Sequence, residues 1–261
     1  MQERHVNRKK YFNEQIKTTA RFVVPYIQKH KKIDASTKVL EIGCGEGGNL
    51  KPFLDLGCTC VGVDLSLNKI ELGKQFFSEF EHPSKPQLIV QDIYETNPQN
   101  FGKFDVIIMR DVIEHIHHQE KFMGFVKQFL TDDGLFFLGF PPWQNPFGGH
   151  QQVCKNKVLS VFPYFHLLPK FIYKAILKLF SESESTIEAL LEIKQTGISL
   201  ERFERILKTE NYKIIQKTFY LMNPNYQIKF GLKPREQFAL VAVIPYLRNF
   251  FTTAAYYLIR K

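Results

Sequence analysis

Apolar residues recur at two different periods along this chain, and the alternation between the two periods predicts its elements. Phe12, Ile16, Ala20, Val23, Val24 and Ile27 fall at helical spacing, which predicts a leading helix over 11–32 that Pro25 kinks or splits. Short apolar runs at 38–42, 58–64, 87–92, 104–109 and 134–140 read as five strands, the fourth very apolar. Between them lie helical stretches at 49–56, 66–80 and 119–130, with Ser66 placed to cap the second. Such alternation predicts a parallel sheet covered by helices on both faces. After Pro141-Pro142 the pattern changes, and 143–199 reads as helical with loops near 145–149 and 181–185. Strand character returns at 212–221 and 252–259, an antiparallel pair at the sheet's edge with a loop and short helix between. Repeats and low-complexity tracts are absent.

The length, 261 residues, allows one large α/β domain with an insertion, or two small domains. An excess of 35 Lys+Arg over 26 Asp+Glu gives a net charge of +9. That balance suits polyanions, anionic lipids or acidic small molecules without choosing among them. With no dense basic block and no zinc-finger spacing, nucleic acid is not the favoured partner. The 25 phenylalanines are unusually many, enough to fill a core and still line a pocket or touch a membrane. Cys44, Cys58, Cys60 and Cys154 are too few and too irregular for a disulfide framework or a zinc site. Cys58 and Cys60 would share one side of a strand as small buried hydrophobes. The polar, basic N-terminus lacks the apolar core of a signal peptide, so a reducing, cytoplasmic compartment is expected.

The most informative stretch is Glu41-Ile42-Gly43-Cys44-Gly45-Glu46-Gly47-Gly48, which follows a strand and opens a helix. Glycines there permit a tight turn and let a ligand lie against bare backbone. About 20 residues on, Asp64 ends the second strand, where its carboxylate can accept hydrogen bonds from two ribose hydroxyls. Gly43, Gly45 and Gly48 satisfy G-x-G-x-x-G, which dinucleotide-binding enzymes share. Three features separate the readings. Glu41 would meet a pyrophosphate badly but suits a cationic ammonium or sulfonium, directly or through water. Asp92-Ile93 ends the third strand, placed to accept from an adenine amino group while the isoleucine packs on the ring. Lastly, the sheet closes with an antiparallel hairpin instead of a second mononucleotide-binding half.

On these residues the chain resembles the class I S-adenosylmethionine-dependent methyltransferases over roughly 37–142. Residues 39–47 look like that family's first motif, Val61-Gly62-Val63-Asp64 like its ribose segment and Gln91-Asp92-Ile93 like its adenine segment. Phe104-Asp105-Val106-Ile107-Ile108 matches its fourth strand. The resemblance implies a Rossmann-like α/β fold with a seven-stranded, mostly parallel sheet, helices on both faces and an antiparallel edge strand at 252–259. A helical cap would be inserted between strands five and six. It divides the chain into an N-terminal helical segment (1–36), a donor-binding core (37–142), a substrate cap (143–210) and strands completing the sheet (211–261). It also implies S-adenosylmethionine as methyl donor, with Glu41, Gly43, Cys44, Gly45, Asp64, Leu65, Asp92, Ile93 and Arg110 around it. Leu65 would pack beside the adenine and Arg110 would lie near the methionine moiety.

Methyl transfer is an in-line displacement, so alignment matters most, and a hydroxyl or amine acceptor must also lose a proton. After the fourth strand stands Arg110-Asp111-Val112-Ile113-Glu114-His115, which resembles the acidic-x-x-Glu-His segment of ubiquinone-biosynthesis O-methyltransferases. That likeness makes Asp111, Glu114 and His115 candidates for a divalent metal. Glu-His is equally a structural pair in methyltransferases without metal, so helix capping or packing stands beside ligation. After the fifth strand a proline- and glycine-fixed loop, 141–151, carries Trp143, Phe147 and His150. His150 has the chemistry of a base, and a histidine bonded to loop backbone is the alternative. His150 and His115 are therefore the candidate catalytic residues. Tyr11 could close over the donor or simply pack on the core.

From 155 to 180 lysines alternate with apolar residues and no acid appears. Lys170, Lys174 and Lys178 would form one helical stripe among apolar side chains. The segment reads as a lid over the acceptor pocket or as an interfacial helix in peripheral contact with a membrane. The lysines, Pro163 and Pro169 rule against a transmembrane span. The apolar stretch 239–259 reads as a short helix followed by a buried strand, since Arg248, Asn249, Thr252 and Thr253 interrupt it. The expected activity is methyl transfer, on oxygen, to a small or lipid-like acceptor. Two rivals are an oxidoreductase using the same turn for NAD, and a binding module that keeps the donor site without turnover.

Overall fold

The computed structural model describes residues 7–81 and 85–261. The first six residues of the expected N-terminal segment lie outside the described residues. Eight strands form one sheet: β1 (Lys38–Ile42), β2 (Thr59–Asp64), β3 (Gln87–Val90), β4 (Phe104–Arg110), β5 (Leu130–Phe140), β6 (Lys213–Met222), β7 (Arg235–Glu236) and β8 (Ala254–Arg260). Their order is β3-β2-β1-β4-β5-β8-β6-β7. β1 to β5 are parallel, while β8 runs antiparallel to both β5 and β6. Successive strands are added first on one side of β1 and then on the other, so β1 and β4 flank the switch point where α/β sheets open a crevice at their carboxyl ends.

Two corrections to the expected sheet follow. The strand count is eight, not seven, because two residues, Arg235 and Glu236, pair with Tyr220 and Met222 at the margin. So short a strand carries no periodicity and cannot be read from sequence. The antiparallel strand at 254–260 lies inside the sheet, between β5 and β6. Its first six residues are all buried, which only an interior strand covered on both faces achieves.

Alternate residues of the strands feed two separate cores. Leu40, Ile42, Val63, Ile107, Met109, Phe136, Leu138 and Tyr257 face one way, against helices α3 (Gln119–Val126) and α6 (Leu200–Thr209) through Phe122, Val126, Phe203 and Ile206. Val39, Cys60, Val106, Ile108, Phe137, Tyr256 and Leu258 face the other way, toward helices α1 (Arg8–Thr18) and α2 (Leu67–Ser78). Ser66 caps α2, its hydroxyl accepting from the Lys69 N–H. α1 passes through a π-helical turn, Thr19–Val23, before a further short helix, Val24–Gln28. The wide turn lies just before Pro25, whose ring and missing N–H disturb the regular ladder there.

Between β5 and β6 two further helices, α4 (Lys170–Leu179) and α5 (Glu184–Thr196), enclose a small core of their own: Cys154, Leu159, Phe165, Tyr173, Leu177, Ile187 and Leu190. All four cysteines are free and buried. Among the described residues no helix is long and apolar enough to cross a membrane.

Candidate active site

β1 ends in the glycine turn because the backbone there must reverse sharply. Gly43, Gly45 and Gly47 all have positive φ, at +70°, +56° and +79°. The N–H groups of Gly43 and Cys44 both donate to the Val63 carbonyl, at 2.8 and 3.0 Å, which locks the turn to β2. A Cβ at Gly43 would come within 2.6 Å of Val112, so only glycine lets the turn approach the loop after β4. Gly48 serves another purpose. A Cβ there would meet the Phe12 carbonyl at 2.7 Å, so the third glycine of the pattern makes room for α1.

A single cavity of about 1140 Å³ opens at the carboxyl ends of β1, β2, β4 and β5. That volume exceeds what one small ligand fills and leaves room for donor and acceptor together. Its donor half is walled by the bare backbone of Gly43–Gly45 and by Asp64, Leu65, Asp92 and Ile93. One carboxylate oxygen of Asp64 accepts from the Gly45 N–H at 2.8 Å and the other from the Ser66 N–H at 2.9 Å. Each retains a lone pair for a ligand hydroxyl. Leu65 is 72% exposed while Ile93 is buried, so a large apolar side chain stands open to the cavity opposite a packed one. Asp92 caps the short turn Ile93–Glu95, accepting from the Tyr94 N–H at 2.9 Å. Cys44 contributes to the wall while its thiol is buried, and burial raises its pKa.

Glu41 and Arg110 occupy places their motif positions did not reveal. Glu41 is buried behind the turn and is not among the residues lining the cavity. Its Oε1 accepts from Asn49 Nδ2 at 2.6 Å, while Oε2 has no partner. Arg110 lines the cavity, yet its guanidinium is held by Asn49 Oδ1 (2.7 Å), Thr19 Oγ1 (3.1 Å) and Asn225 Oδ1 (2.7 Å). Arg110 thus ties α1, the glycine turn and the short helix Pro224–Phe230 to β4. Burial, opposed by the Asn49 hydrogen bond and by Arg110, raises the Glu41 pKa to about 8. A carboxyl whose folded pKa lies above its unfolded value stabilises fully below the unfolded value and loses that contribution as pH rises through about 8. Glu41→Gln keeps the acceptor for Asn49 and removes the buried charge. Its thermal unfolding should gain on the wild type between pH 5 and pH 9, by a margin on the order of a few kcal/mol at the top. A constant margin across that range would contradict this.

α1 is latched over the donor half by a paired contact: Arg8 Nε donates to Glu46 Oε1 at 2.6 Å and Nη2 to Oε2 at 2.7 Å. The Glu46 side chain is fully buried and that of Arg8 is 27% exposed. Arg8→Ala strands the carboxylate. Since water can reach the gap, the cost should be roughly 1–3 kcal/mol, below that of a fully buried pair. Chemical denaturation measures it; an unchanged midpoint would show that the latch contributes nothing. Tyr11 follows on the same helix and lines the cavity, its hydroxyl pKa raised to about 12 by burial and then by the Asp111 charge.

In the acceptor half the loop after β4 meets the loop after β5. The rings of His115 and His150 stand edge to face with centroids 4.9 Å apart. Glu114 is 3% exposed, and neither carboxylate oxygen has a hydrogen-bond partner. Burial first, then the Asp111 charge, raises its pKa well above the ordinary carboxylate range. Burial lowers the His115 pKa, with Asp111 opposing. Ligating atoms of Glu114, His115 and His150 all lie within 4.8 Å of one another. Asp111 is not in that set. Backbone strain concentrates at this rim, for Asp111, His118 and His150 all have positive φ. Phe147 and Asn145 complete the wall from the loop after β5. Trp143 packs instead on His166, ring centroids 4.6 Å apart. No residue of 155–180 is among the lining residues, so the cap reaches the cavity only through 145–153. Sequence reading missed Arg8, Glu46, Asn49, Thr19 and Asn225. Nothing in the spacing signals Arg8 with Glu46, whereas a polar Asn49 opening a buried helix was a usable clue.

A glycine turn bonded to β2, an acid ending β2 and an acid–isoleucine pair after β3, all on one cavity of a sheet ordered 3-2-1-4-5, define a class I S-adenosylmethionine-dependent methyltransferase site. A sequence-family model described as "Methyltransferase domain" matches residues 8–161, and the chain belongs to that family. Among curated relatives, the ubiquinone biosynthesis O-methyltransferase of Bartonella bacilliformis is 31% identical over 108 residues. That match covers 40% of this chain and 41% of the relative, so the chain spans about two fifths of that relative's length. Among solved structures, an S-adenosylmethionine-dependent methyltransferase from Clostridium acetobutylicum superposes with a TM-score of 0.57 at 15% identity, covering 94% of this chain and 91% of its own. Magnesium protoporphyrin IX methyltransferase from Synechocystis, with bound S-adenosylhomocysteine, gives 0.54 at 16% identity over 93% of this chain and 82% of its own. These two show that the fold is shared.

Proposed function

We propose that this protein transfers the methyl group of S-adenosylmethionine to an oxygen of a small, lipid-like acceptor. The observation that carries the reading is one cavity with two unlike halves: a nucleoside-shaped wall and, facing it, the Glu114–His115–His150 cluster. The donor, when bound, supplies an electrophilic methyl on a sulfonium centre. Asp64 accepts from its ribose hydroxyls, Leu65 and Ile93 flank the adenine, and Asp92 accepts from the adenine amino group. Gly43, Cys44 and Gly45 let the methionine portion lie on backbone. Glu41 holds Asn49 in place from behind the turn, and Arg110 keeps the turn, α1 and Asn225 in register. His150 and His115 are the groups placed to receive the acceptor's proton.

The chain divides accordingly. Residues 37–142 hold the donor, 143–210 form the cap, 211–261 complete the sheet, and the described part of the N-terminal segment, 7–36, closes over the donor from outside. A lipid-like acceptor draws support from the relative active in ubiquinone biosynthesis and from the outer face of α4. There Phe171, Ile172 and Leu179 are exposed beside Lys170, Lys174 and Lys178, an arrangement suited to peripheral contact with an anionic membrane. Incubation with methyl-labelled S-adenosylmethionine and, separately, lipid, phenolic and RNA extracts tests the reading. Label in a lipid or phenolic product with matching S-adenosylhomocysteine release supports it; label in RNA alone overturns it. Donor binding with no release from any extract, with or without divalent metal, would establish a non-catalytic binding module.

A further inference from the structure

We infer that residues 238–247 form a docking element that enters the apolar boundary of an anionic lipid surface, at the edge of the sheet where the cavity opens. It uses no residue of the donor site. It deepens the lipid-like reading of the acceptor, on which it rests only for its biological purpose, by saying where such a molecule would be met.

The first argument is an apolar face left open to solvent. Phe238-Ala239-Leu240-Val241-Ala242-Val243-Ile244-Pro245-Tyr246-Leu247 carries no charge. Leu240 is 82% exposed and Val243 72%, and Phe238, Ile244, Tyr246 and Leu247 are exposed with them. Contiguous apolar surface of this kind marks a place of contact. The face is built, not loose. Before it, the Gln237 N–H donates to the Phe219 carbonyl of β6 at 2.7 Å. After it, Glu201 of α6 accepts from the Tyr246 N–H and from Arg248 Nε, each at 2.9 Å. Between these anchors the N–H groups of Ala242, Val243 and Ile244 donate to the carbonyls of Phe238, Ala239 and Val241. A turn that bonds its own backbone can leave water without stranding those groups.

The second argument is placement. β8 runs antiparallel to both β5 and β6, so β6 ends and β8 begins at the carboxyl edge of the parallel strands, where the cavity opens. The excursion between them leaves the cavity wall at Lys229 and rejoins it at Thr253.

Charge is the third argument, and it selects the occupant. Lys233 and Arg235 are exposed just before the apolar run, and Glu236 is the one acid from 229 to 247. At the base of the run Tyr164 donates its hydroxyl to the Phe250 carbonyl at 3.1 Å. That bond joins it to the cap, where 155–180 carries exposed Lys155, Lys157, Lys170, Lys174 and Lys178 and no acid. A second copy of this chain, itself at +9, would bring like-charged flanks together. Anionic headgroups would instead meet these flanks while the acyl boundary received the turn. So short an apolar run cannot span a bilayer, and the contact is interfacial.

Flotation with vesicles of equal parts phosphatidylglycerol and phosphatidylcholine tests this, with far-ultraviolet circular dichroism as the control for folding. The expected result is binding that Leu240→Asp with Val243→Asp weakens at least about tenfold, and that rising salt or pure phosphatidylcholine also weakens. A Phe238→Trp variant should lose fluorescence to lipid brominated in its acyl chains, beyond the loss shown by Trp143 in the wild type. If the paired substitution disturbs the fold, Leu240→Ser decides in its place. No vesicle binding, binding that the paired substitution leaves within about threefold, or a dimer in light scattering that the same pair dissolves overturns the inference. Vesicle binding through this turn with no methyl transfer to any extract would leave the docking surface standing while the proposed function falls.

Discussion

Replacing Asp64 with alanine should abolish measurable binding of S-adenosylmethionine and S-adenosylhomocysteine, a loss of roughly a hundredfold or more. The carboxylate has two roles in this structure. It fastens the glycine turn to β2 through the Gly45 N–H, and it stands open to the cavity with lone pairs for two ribose hydroxyls. Hydrogen bonds to a charged acceptor contribute about 1.5–3 kcal/mol each, so losing two of them accounts for the size of the effect. Asp64→Asn keeps one acceptor oxygen and the turn contact, and should lose only part of the affinity. Calorimetry on the two variants separates the roles: an alanine variant that still binds within about threefold would remove Asp64 from the donor site.

His150→Ala should lower kcat by about 10²–10⁴ while leaving donor affinity within about threefold. The side chain belongs to the loop after β5, and its ring meets His115 across the acceptor half, away from the glycine turn. Its loss should fall on turnover more than on donor capture. His115→Ala should behave alike, and the double variant should cost little more than either alone, because the pair acts as one unit. Steady-state kinetics with the identified acceptor makes the comparison; two losses that multiply in full would mean that the histidines act separately.

How far the sequence foretold this molecule depended on how local each feature is. The strands β1 to β5 were legible because each is an apolar run bounded by turns, and Asp64 because its place follows from the end of a strand. The position of β8 was not legible: burial pattern marks 254–260 as a strand, but its neighbours β5 and β6 lie far away in sequence. The two-residue β7 left no pattern at all. At the site, Gly43 and Gly45 were read for the turn they make, while Gly48 proved to accommodate α1. Glu41 was placed by motif position at the donor itself; the strand's alternation turns it to the α1 face of the sheet, onto Asn49. Arg8 with Glu46, and Arg110 with Asn225, join residues 38 and 115 positions apart, beyond the reach of any local pattern. Nor can helical or strand spacing foresee the left-handed backbone at Asp111, or that the loop after β5 brings His150 onto His115.

The most direct measurement of the central claim is calorimetric titration of the purified protein with S-adenosylmethionine, S-adenosylhomocysteine and NAD. Saturable one-to-one binding of both sulfur ligands, and none of NAD, is the expected result. Binding of NAD, with neither sulfur ligand taken up, would contradict it.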